Sequence, residues 1–212
     1  MKRKAIVQIV AAVVVVIFAL GIWLSGDEVK IRWLRFYSLA VIGAVILLAA
    51  WDHFIWRAPI VQKIPGVPRN IRGTWYGELT SFWKDPLTGE SPPPKRVFLV
   101  VRQTSSVINA VLLTDESRSN SRMAKIIGDE SGYFLMYVYL NEPGVRFEHR
   151  SPIHYGSASL NIIGQPATRL LGKYWTSRDS KGELDFDSRS PKIIDDYDSG
   201  LKQFSDVIKK GT

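Results

Sequence analysis

The chain has 212 residues, which leaves room for one membrane anchor and one modest domain but not for two large soluble domains. It contains no cysteine, which excludes disulfides, cysteine-ligated zinc, a thiolate nucleophile and cysteine-bound iron–sulfur clusters. The net charge of +8 is shared equally between two parts of the chain. Residues 1–57 hold seven basic and three acidic residues, and the remaining 155 residues hold 21 basic and 17 acidic ones, so each part has a net charge of +4. A domain with a net charge of +4 and no basic run argues against a DNA or RNA polymer as partner and permits a small anionic ligand.

Two apolar runs near the N-terminus predict transmembrane helices. The first covers residues 5–24, which is roughly the length needed to cross a bilayer, and the second covers residues 36–51 and extends further if its polar end lies among the headgroups. A cleaved signal peptide is the alternative for the first run, but residues 19–21 do not form a clean cleavage site. We therefore interpret residues 1–57 as a two-helix transmembrane hairpin whose turn is residues 25–35.

The charges beside these runs predict how the hairpin is oriented. Basic residues at positions 2–4 and between positions 57 and 72 place both ends in the cytoplasm by the positive-inside rule, although three basic residues in the turn oppose this orientation. Asp52 and His53 could form a proton relay, but their place at the end of the run favours interfacial anchoring. The N-terminus and the domain that follows are thus predicted to be cytoplasmic.

The rest of the chain predicts an all-β domain. Residues 58–68 are rich in proline, which predicts a linker. The β domain itself is predicted to cover residues 69–190. Short β-branched and aromatic runs, separated by turn residues, form an antiparallel meander. An eight-stranded meander can close into an up-and-down, lipocalin-like β-barrel whose interior holds side chains or one small ligand. The predicted strands are residues 73–83, 95–103, 107–114, 121–128, 133–140, 154–163, 169–177 and 183–188.

Alternation of side chains orients three of these strands, whereas the run 133–140 is apolar on both faces and has no predicted orientation. Residues 191–212 form a tail in which positions 195–209 carry apolar residues at helical spacing. We expect one amphipathic helix there, covering an end or a side of the barrel. The residues predicted to face inward are Trp75, Gly77, Leu79, Leu170, Gly172, Tyr174, Thr176, Leu184 and Phe186.

The sequence contains no catalytic or metal-binding motif. The three histidines lack ligand spacing, and no nucleophile elbow, Walker A loop or dinucleotide fingerprint occurs, so we predict no catalytic residues, no metal, no cofactor and no enzymatic activity. Binding is better supported, because aromatic rings offer stacking faces and guanidinium groups match phosphates. Such residues concentrate at predicted strand ends, where a barrel mouth would lie. The residues alone therefore indicate a barrel for a small anionic or aromatic ligand.

Four motifs behind the apolar runs resemble the two-transmembrane β-barrel effectors of bacterial CBASS antiphage systems. The motifs are Gly73-Thr74-Trp75, the run Tyr137-Val138-Tyr139-Leu140-Asn141-Glu142-Pro143, His154-Tyr155-Gly156, and Leu171-Gly172-Lys173-Tyr174-Trp175-Thr176-Ser177-Arg178. The resemblance extends from the anchor to about Arg189. It implies a multi-pass protein of the bacterial inner membrane. It also implies a partner synthase, a CD-NTase, whose cyclic oligonucleotide product binds the barrel; a cyclic dinucleotide is favoured. Homo-oligomerisation, disruption of the lipid bilayer and death of the infected cell would follow.

Nine residues are selected for ligand contact by their chemistry, seven of them within these motifs, while Trp75 and Gly172 are assigned to packing. The main alternative is a membrane-anchored lipocalin-like barrel that carries or senses a lipid or other apolar ligand, which the Gly-x-Trp start at Gly73 would also suit. A third possibility is an assembly scaffold with a filled barrel and no ligand. The predicted ligand contacts are Tyr137, Tyr139, Asn141, His154, Tyr174, Thr176 and Arg178, followed by Arg102 and Arg122.

Overall fold

The computed structural model describes residues 3–25, 33–86, 88–130, 132–149 and 151–210, with no side chains described for 3–11, 25 and 33–37. The chain divides into two compact units. The first comprises residues 1–68 and 104–106, and the second comprises residues 69–103 and 107–212.

The first unit contains two long helices, α1 (Arg3–Ser25) and α2 (Trp33–His53). Among the described residues, one segment, Ser38–Arg57, is long and apolar enough to cross a membrane by length and composition, whereas the apolar stretch Ala12–Leu24 of α1 is shorter. One of the two predicted spans is therefore supported and the other is not confirmed. Residues 26–32, which are most of the predicted turn, lie outside the described residues. The basic side chains at positions 2–4, at the start of the hairpin, lie outside them as well.

The predicted linker is not free of regular structure. Short 3-10 turns occupy Ile55–Arg57 and Val61–Lys63. Gln62 fixes the second turn, because its side-chain amide donates hydrogen bonds to the carbonyl oxygens of Trp56 at 2.7 Å and Pro68 at 3.1 Å. A polar side chain that satisfies backbone carbonyls in this way replaces the hydrogen bonds that a regular element would supply.

The second unit is an eight-stranded antiparallel barrel. The strands pair in chain order, and β8 pairs with β1 to close the barrel, as the sequence predicts. Closure leaves no unpaired sheet edge. The strands are β1 (Gly73–Ser81), β2 (Lys95–Gln103), β3 (Ile108–Leu113), β4 (Ser117–Asp129), β5 (Gly132–Pro143), β6 (His154–Ile163), β7 (Arg169–Thr176) and β8 (Lys181–Ser190).

The largest difference from the predicted strands lies in the β4–β5 pair. β4 begins at Ser117 rather than at Ser121, and β5 continues to Pro143 rather than ending at Leu140. The sequence Ser-Arg-Ser-Asn has low intrinsic strand preference, but it pairs residue for residue with the end of β5, including Ser119 opposite Asn141. Pairing with a neighbouring strand therefore outweighs local preference at this position.

The interior of the barrel is packed with apolar side chains over one half of its length. The predicted inward residues Trp75, Leu170 and Phe186 are each fully buried. The strand that could not be oriented, β5, directs Leu135, Tyr137 and Tyr139 into this interior. Its other face is solvent-accessible, and Met136 and Val138 are 42% and 41% exposed there.

The C-terminal tail covers the side of the barrel formed by β1–β3. Instead of one predicted helix over residues 195–209 there are two, α3 (Tyr197–Gln203) and α4 (Ser205–Lys210). The chain leaves the helical conformation at Phe204, whose ring stacks on Phe98 with a centroid separation of 5.8 Å. The outward side chains of β2 and β3 are thereby buried in a second apolar cluster.

Candidate ligand-binding site

The half of the barrel that is not filled contains a cavity of about 680 Å³. This volume lies within the range of roughly 300–1,000 Å³ typical of small-molecule sites. The cavity lies at the end where the β1–β2, β3–β4, β5–β6 and β7–β8 connections meet, and residues from each of these connections contribute to its wall. Among the wall residues of β5, Tyr137 is the furthest from these connections and also belongs to the packed core, so it lies at the inner end of the cavity.

The structure brings seven of the nine predicted contact residues together around this cavity. They come from β5, β6, β7 and the turn after β7, which the meander places side by side. No single strand could supply them. These seven residues are Tyr137, Tyr139, Asn141, His154, Tyr174, Thr176 and Arg178.

Arg102 and Arg122, the other two predicted contacts, lie outside the cavity. Arg102 is on the outer face of β2 and donates a hydrogen bond of 3.0 Å to Asp195 in the C-terminal tail. Arg122 is exposed and occupies the β-bulge between Ser121 and Met123, where the alternation of β4 shifts by one residue. The placement of both at a barrel mouth is therefore corrected, because neither side chain belongs to the inner face.

Two tyrosines form an aromatic wall, and each packs over a glycine of the neighbouring strand. Tyr139 is paired with Gly156 of β6, and Tyr174 is paired with Gly182 of β8. A Cβ at position 156 would lie 2.3 Å from Tyr139 Cζ, and a Cβ at position 182 would lie 2.7 Å from Tyr174 Cε1. Only glycine leaves space for these rings against the barrel wall, and a ring held there offers a face for stacking.

The tyrosine hydroxyls of the cavity are neutral. Burial raises the pKa of Tyr137 and of Tyr139, and it also raises the pKa of Tyr174 despite a hydrogen bond with Ser81. The mutual repulsion that ionisation would create between Tyr139 and its neighbours acts in the same direction. All three hydroxyls therefore remain protonated at physiological pH, and each can donate or accept a hydrogen bond.

A guanidinium group and an imidazole lie at the mouth, above the tyrosines. Arg178, in the β7–β8 turn, donates a hydrogen bond of 2.7 Å from Nη1 to the hydroxyl of Ser151. His154, the first residue of β6, has Nδ1 2.8 Å from the carbonyl oxygen of Pro152. Partial burial, followed by the charge of Arg178, lowers the pKa of His154, although the Pro152 carbonyl acts in the opposite direction. His154 is consequently neutral at pH 7 and poised to gain a proton beside an anion.

Sequence reasoning missed a second cation, Lys95, at the start of β2. Its Nζ forms an ion pair of 2.7 Å with Glu116 of the β3–β4 connection, and both residues line the cavity. Alternation from the inward Val97 and Leu99 identifies Lys95 as an inward residue. The outward face of β2 is equally apolar because the tail covers it, so the sequence pattern alone could not distinguish the two faces.

A second missed residue, Ser119, holds Asn141 in one orientation. The Ser119 hydroxyl donates a hydrogen bond of 2.8 Å to Asn141 Oδ1, and both residues are about 95% buried. The carboxamide oxygen is thereby occupied, which leaves the amide group of Asn141 as a donor beside the cavity. The extension of β4 beyond its predicted start brings Ser119 into this position.

A closed meander barrel with one open end, an aromatic wall and a charged mouth defines the class of small-ligand-binding β-barrels. More specifically, the chain belongs to the family of Cap15 cyclic dinucleotide receptor domains, which residues 65–188 match. CD-NTase-associated protein 15 of Staphylococcus schleiferi is 30% identical to the chain over 183 residues, which cover 86% of this chain and 95% of the relative. These two matches confirm the resemblance to the CBASS effector family that the motifs indicated, but they do not confirm its two transmembrane helices.

Proposed function

We propose that the chain is an effector of a CBASS antiphage system whose barrel binds a cyclic dinucleotide made by a partner CD-NTase. The observation that carries this proposal is the division of the cavity into a neutral aromatic interior and a charged mouth, where Lys95 and Arg178 lie with the carboxylates of Glu116 and Asp85. A cyclic dinucleotide has two aromatic bases and two phosphates. Its bases are suited to the wall formed by Tyr139 and Tyr174, while its phosphates are suited to Arg178, Lys95 and a protonated His154.

Ligand binding is proposed to drive self-association and disruption of the bacterial inner membrane, which kills the infected cell. The two apolar helices would cross the membrane and hold the barrel on the cytoplasmic side. Such a tether raises the effective concentration of neighbouring barrels, so that a modest preference of the ligand for the associated state is sufficient.

The outer face of β4–β7 supports a second copy of this chain as the associating partner. Met123 lies opposite Val138, Val138 opposite Ser157, and Ser157 opposite Trp175, so these side chains form one row across four strands. Met123 is 72% exposed and Trp175 is 49% exposed. Three of these four side chains are apolar and exposed, which is typical of interaction surfaces, whereas the outer face of β1–β3 is covered by the chain's own tail.

Calorimetric titration of the full-length chain in detergent micelles tests the binding step. We expect at least one of cyclic di-AMP, cyclic di-GMP and cyclic di-UMP to bind with a 1:1 stoichiometry, and Arg178→Ala to weaken that binding roughly 10- to 100-fold, because hydrogen bonds to charged groups contribute about 1.5–3 kcal/mol. Arg102→Ala is the matched control and should leave the affinity unchanged, because Arg102 pairs with Asp195 outside the cavity. Binding of a fatty acid but of no cyclic dinucleotide would instead favour the lipid-carrier alternative.

Dye release from liposomes tests the membrane step. The wild-type chain, reconstituted into liposomes, should release an entrapped dye on addition of the cyclic dinucleotide that binds it, and Tyr174→Ala should not. If the dye escapes equally with and without the nucleotide, the ligand is not the trigger.

A further inference from the structure

The hydroxyl of Tyr137 is a buried polar group without a hydrogen-bond partner among the described residues. Tyr137 is 3% exposed and lines the inner end of the cavity. Buried tyrosine hydroxyls usually find a partner, because an unsatisfied polar group destabilises the folded state. Phenylalanine would fill the same space without that penalty, so the hydroxyl is costly to the unliganded protein.

The surroundings of this hydroxyl indicate which part of a ligand could satisfy it. The residues opposite Tyr137 on the neighbouring strands are Ala124 and Ala158, and both pack in the apolar core. The cationic side chains of the wall instead belong to the mouth, since Lys95 begins β2 and Arg178 lies in the turn after β7. A phosphate would lose its hydration at the inner end without gaining a charged partner there, so the phosphates belong at the mouth. A neutral, flat group is suited to this apolar inner end.

We propose, as an extension of the proposed function, that Tyr137 determines base specificity by hydrogen bonding through its hydroxyl to the edge of the nucleobase that enters deepest. A nucleobase is neutral and flat, and its edge presents both donors and acceptors. Because Tyr137 stays protonated, its hydroxyl can donate to a ring nitrogen or carbonyl oxygen and accept from an amino group. Tyr139, whose ring centroid is 5.8 Å from that of Tyr137, lies beside the same base for stacking.

This arrangement makes selectivity depend on one hydroxyl. A site that is built to hydrogen bond a particular edge discriminates against analogues that leave its buried polar group unpaired. The wall formed by Tyr139 and Tyr174 accepts any base, since every base has a π-face. Stacking therefore provides affinity, and the Tyr137 hydroxyl provides the preference among bases.

The test is a comparison of Tyr137→Phe with wild type in the full-length chain in detergent, using cyclic di-AMP, cyclic di-GMP and cyclic di-UMP as probes. Tyr137→Phe should lower the affinity for the best-bound nucleotide roughly tenfold, because one hydrogen bond is lost and its partner on the base is left unpaired. The affinities for the other two nucleotides should change less than twofold. The thermal midpoint of the unliganded variant should be equal to or higher than that of wild type. Tyr155→Phe, on the exposed outer face, is the matched control and should change neither quantity.

The outcomes separate this inference from the proposed function. An unchanged affinity for all three nucleotides, or an equal loss for all three, would overturn the role of Tyr137 and leave the cyclic dinucleotide receptor intact. If the wild-type chain binds none of the three, the proposed function fails, and the inference fails with it. A lower thermal midpoint for the unliganded Tyr137→Phe chain would show that the hydroxyl has a structural partner, which also overturns the inference.

Discussion

Tyr139 of β5 packs against Gly156 of β6, and a Cβ on Gly156 would lie 2.4 Å from the tyrosine hydroxyl oxygen. The two residues are directly opposite one another in the register of the two strands. The absence of a side chain at position 156 thus decides where the ring lies, and the ring position keeps this part of the barrel open.

Gly156→Ala is expected to reduce ligand binding while leaving stability nearly unchanged. The three nearest atoms all belong to the tyrosine ring and hydroxyl, so the ring can swing away from the wall and into the cavity. The gain of about 0.5–1 kcal/mol from replacing a strand glycine offsets a similar loss from a displaced rotamer. Cyclic dinucleotide affinity should fall at least about tenfold, with a change in unfolding free energy within about 1 kcal/mol.

Two further variants provide controls for this prediction. Gly144→Ala should change neither the ligand affinity nor the unfolding free energy, because the nearest atoms would lie 3.6 Å from its Cβ. Gly182→Ala should instead lower stability by about 1–3 kcal/mol or more, because its Cβ would lie 2.0 Å from the carbonyl oxygen of Thr80 and the strands would have to move. Equal binding by wild type and Gly156→Ala would show that the Tyr139 ring does not control access to the cavity.

Glu116→Gln is expected to increase affinity for the cyclic dinucleotide. Glu116 neutralises Lys95 across a 2.7 Å ion pair, and a phosphate at the mouth has to compete with that carboxylate. A partly exposed ion pair contributes about 0.2–1 kcal/mol, which corresponds to an increase of up to about fivefold in affinity. Calorimetry at several salt concentrations should show the gain, and the exposed Glu78→Gln is the control. A loss of affinity would indicate that Glu116 itself holds the ligand.

Ligand affinity is expected to rise as the pH falls from about 7.5 to about 5. Burial and the charge of Arg178 lower the pKa of His154 below its ordinary value of 6.5, so the unliganded protein carries a neutral imidazole. An adjacent phosphate favours the protonated form, and binding therefore takes up a proton and becomes stronger as protons become available. His154→Gln should flatten this dependence. A wild-type affinity that does not change over this interval would place the phosphates away from His154.

The same lowered pKa predicts the sign of the stability change in the unliganded protein. Because the folded state binds the proton of His154 less tightly than the unfolded state does, His154 contributes no penalty above about pH 6.5 and destabilises the fold as the pH falls below that value. With the cyclic dinucleotide bound, the stability of the fold should instead rise as the pH falls below that value.

Val138→Asp is expected to separate binding from assembly. Val138 is 41% exposed on the outer face of β5, so a carboxylate there is tolerated by the fold but not by an apolar interface between copies. The variant should bind the cyclic dinucleotide with wild-type affinity, and analytical ultracentrifugation should detect ligand-dependent oligomers of the wild type but none of the variant. Val207→Asp, at 39% exposure on α4, is the matched control. Normal oligomers of Val138→Asp would exclude this face as the site of association.

The barrel was largely predictable because alternation and turn residues are local signals. β2 and β6 begin and end at the predicted residues, and the inward side chains of β1, β7 and β8 follow the two-residue period. The start of β4 was not predictable, since the polar sequence at Ser117 becomes a strand only through its pairing with β5. The break between α3 and α4 at Phe204 could not be predicted either, because it depends on the contact with Phe98.

The candidate site was predictable where a motif placed several residues on one inner face, as for Tyr137, Tyr139 and Asn141 of β5. It was not predictable on β2, where both faces are buried, one by the core and the other by the C-terminal tail. Arg102 was therefore selected although Lys95 is the residue at the mouth. Arg122 was misplaced because a bulge, which shifts the alternation by one residue, has no distinctive sequence signal at that position.

The central claim is that the open half of the barrel is a receptor site for a cyclic dinucleotide. It is tested most directly by determining the structure of the full-length chain with the tightest-binding of the three cyclic dinucleotides. In that structure we expect one base to lie between Tyr139 and Tyr174, and one phosphate to lie within hydrogen-bonding distance of Arg178. A nucleotide bound at saturating concentration anywhere outside this cavity would contradict it.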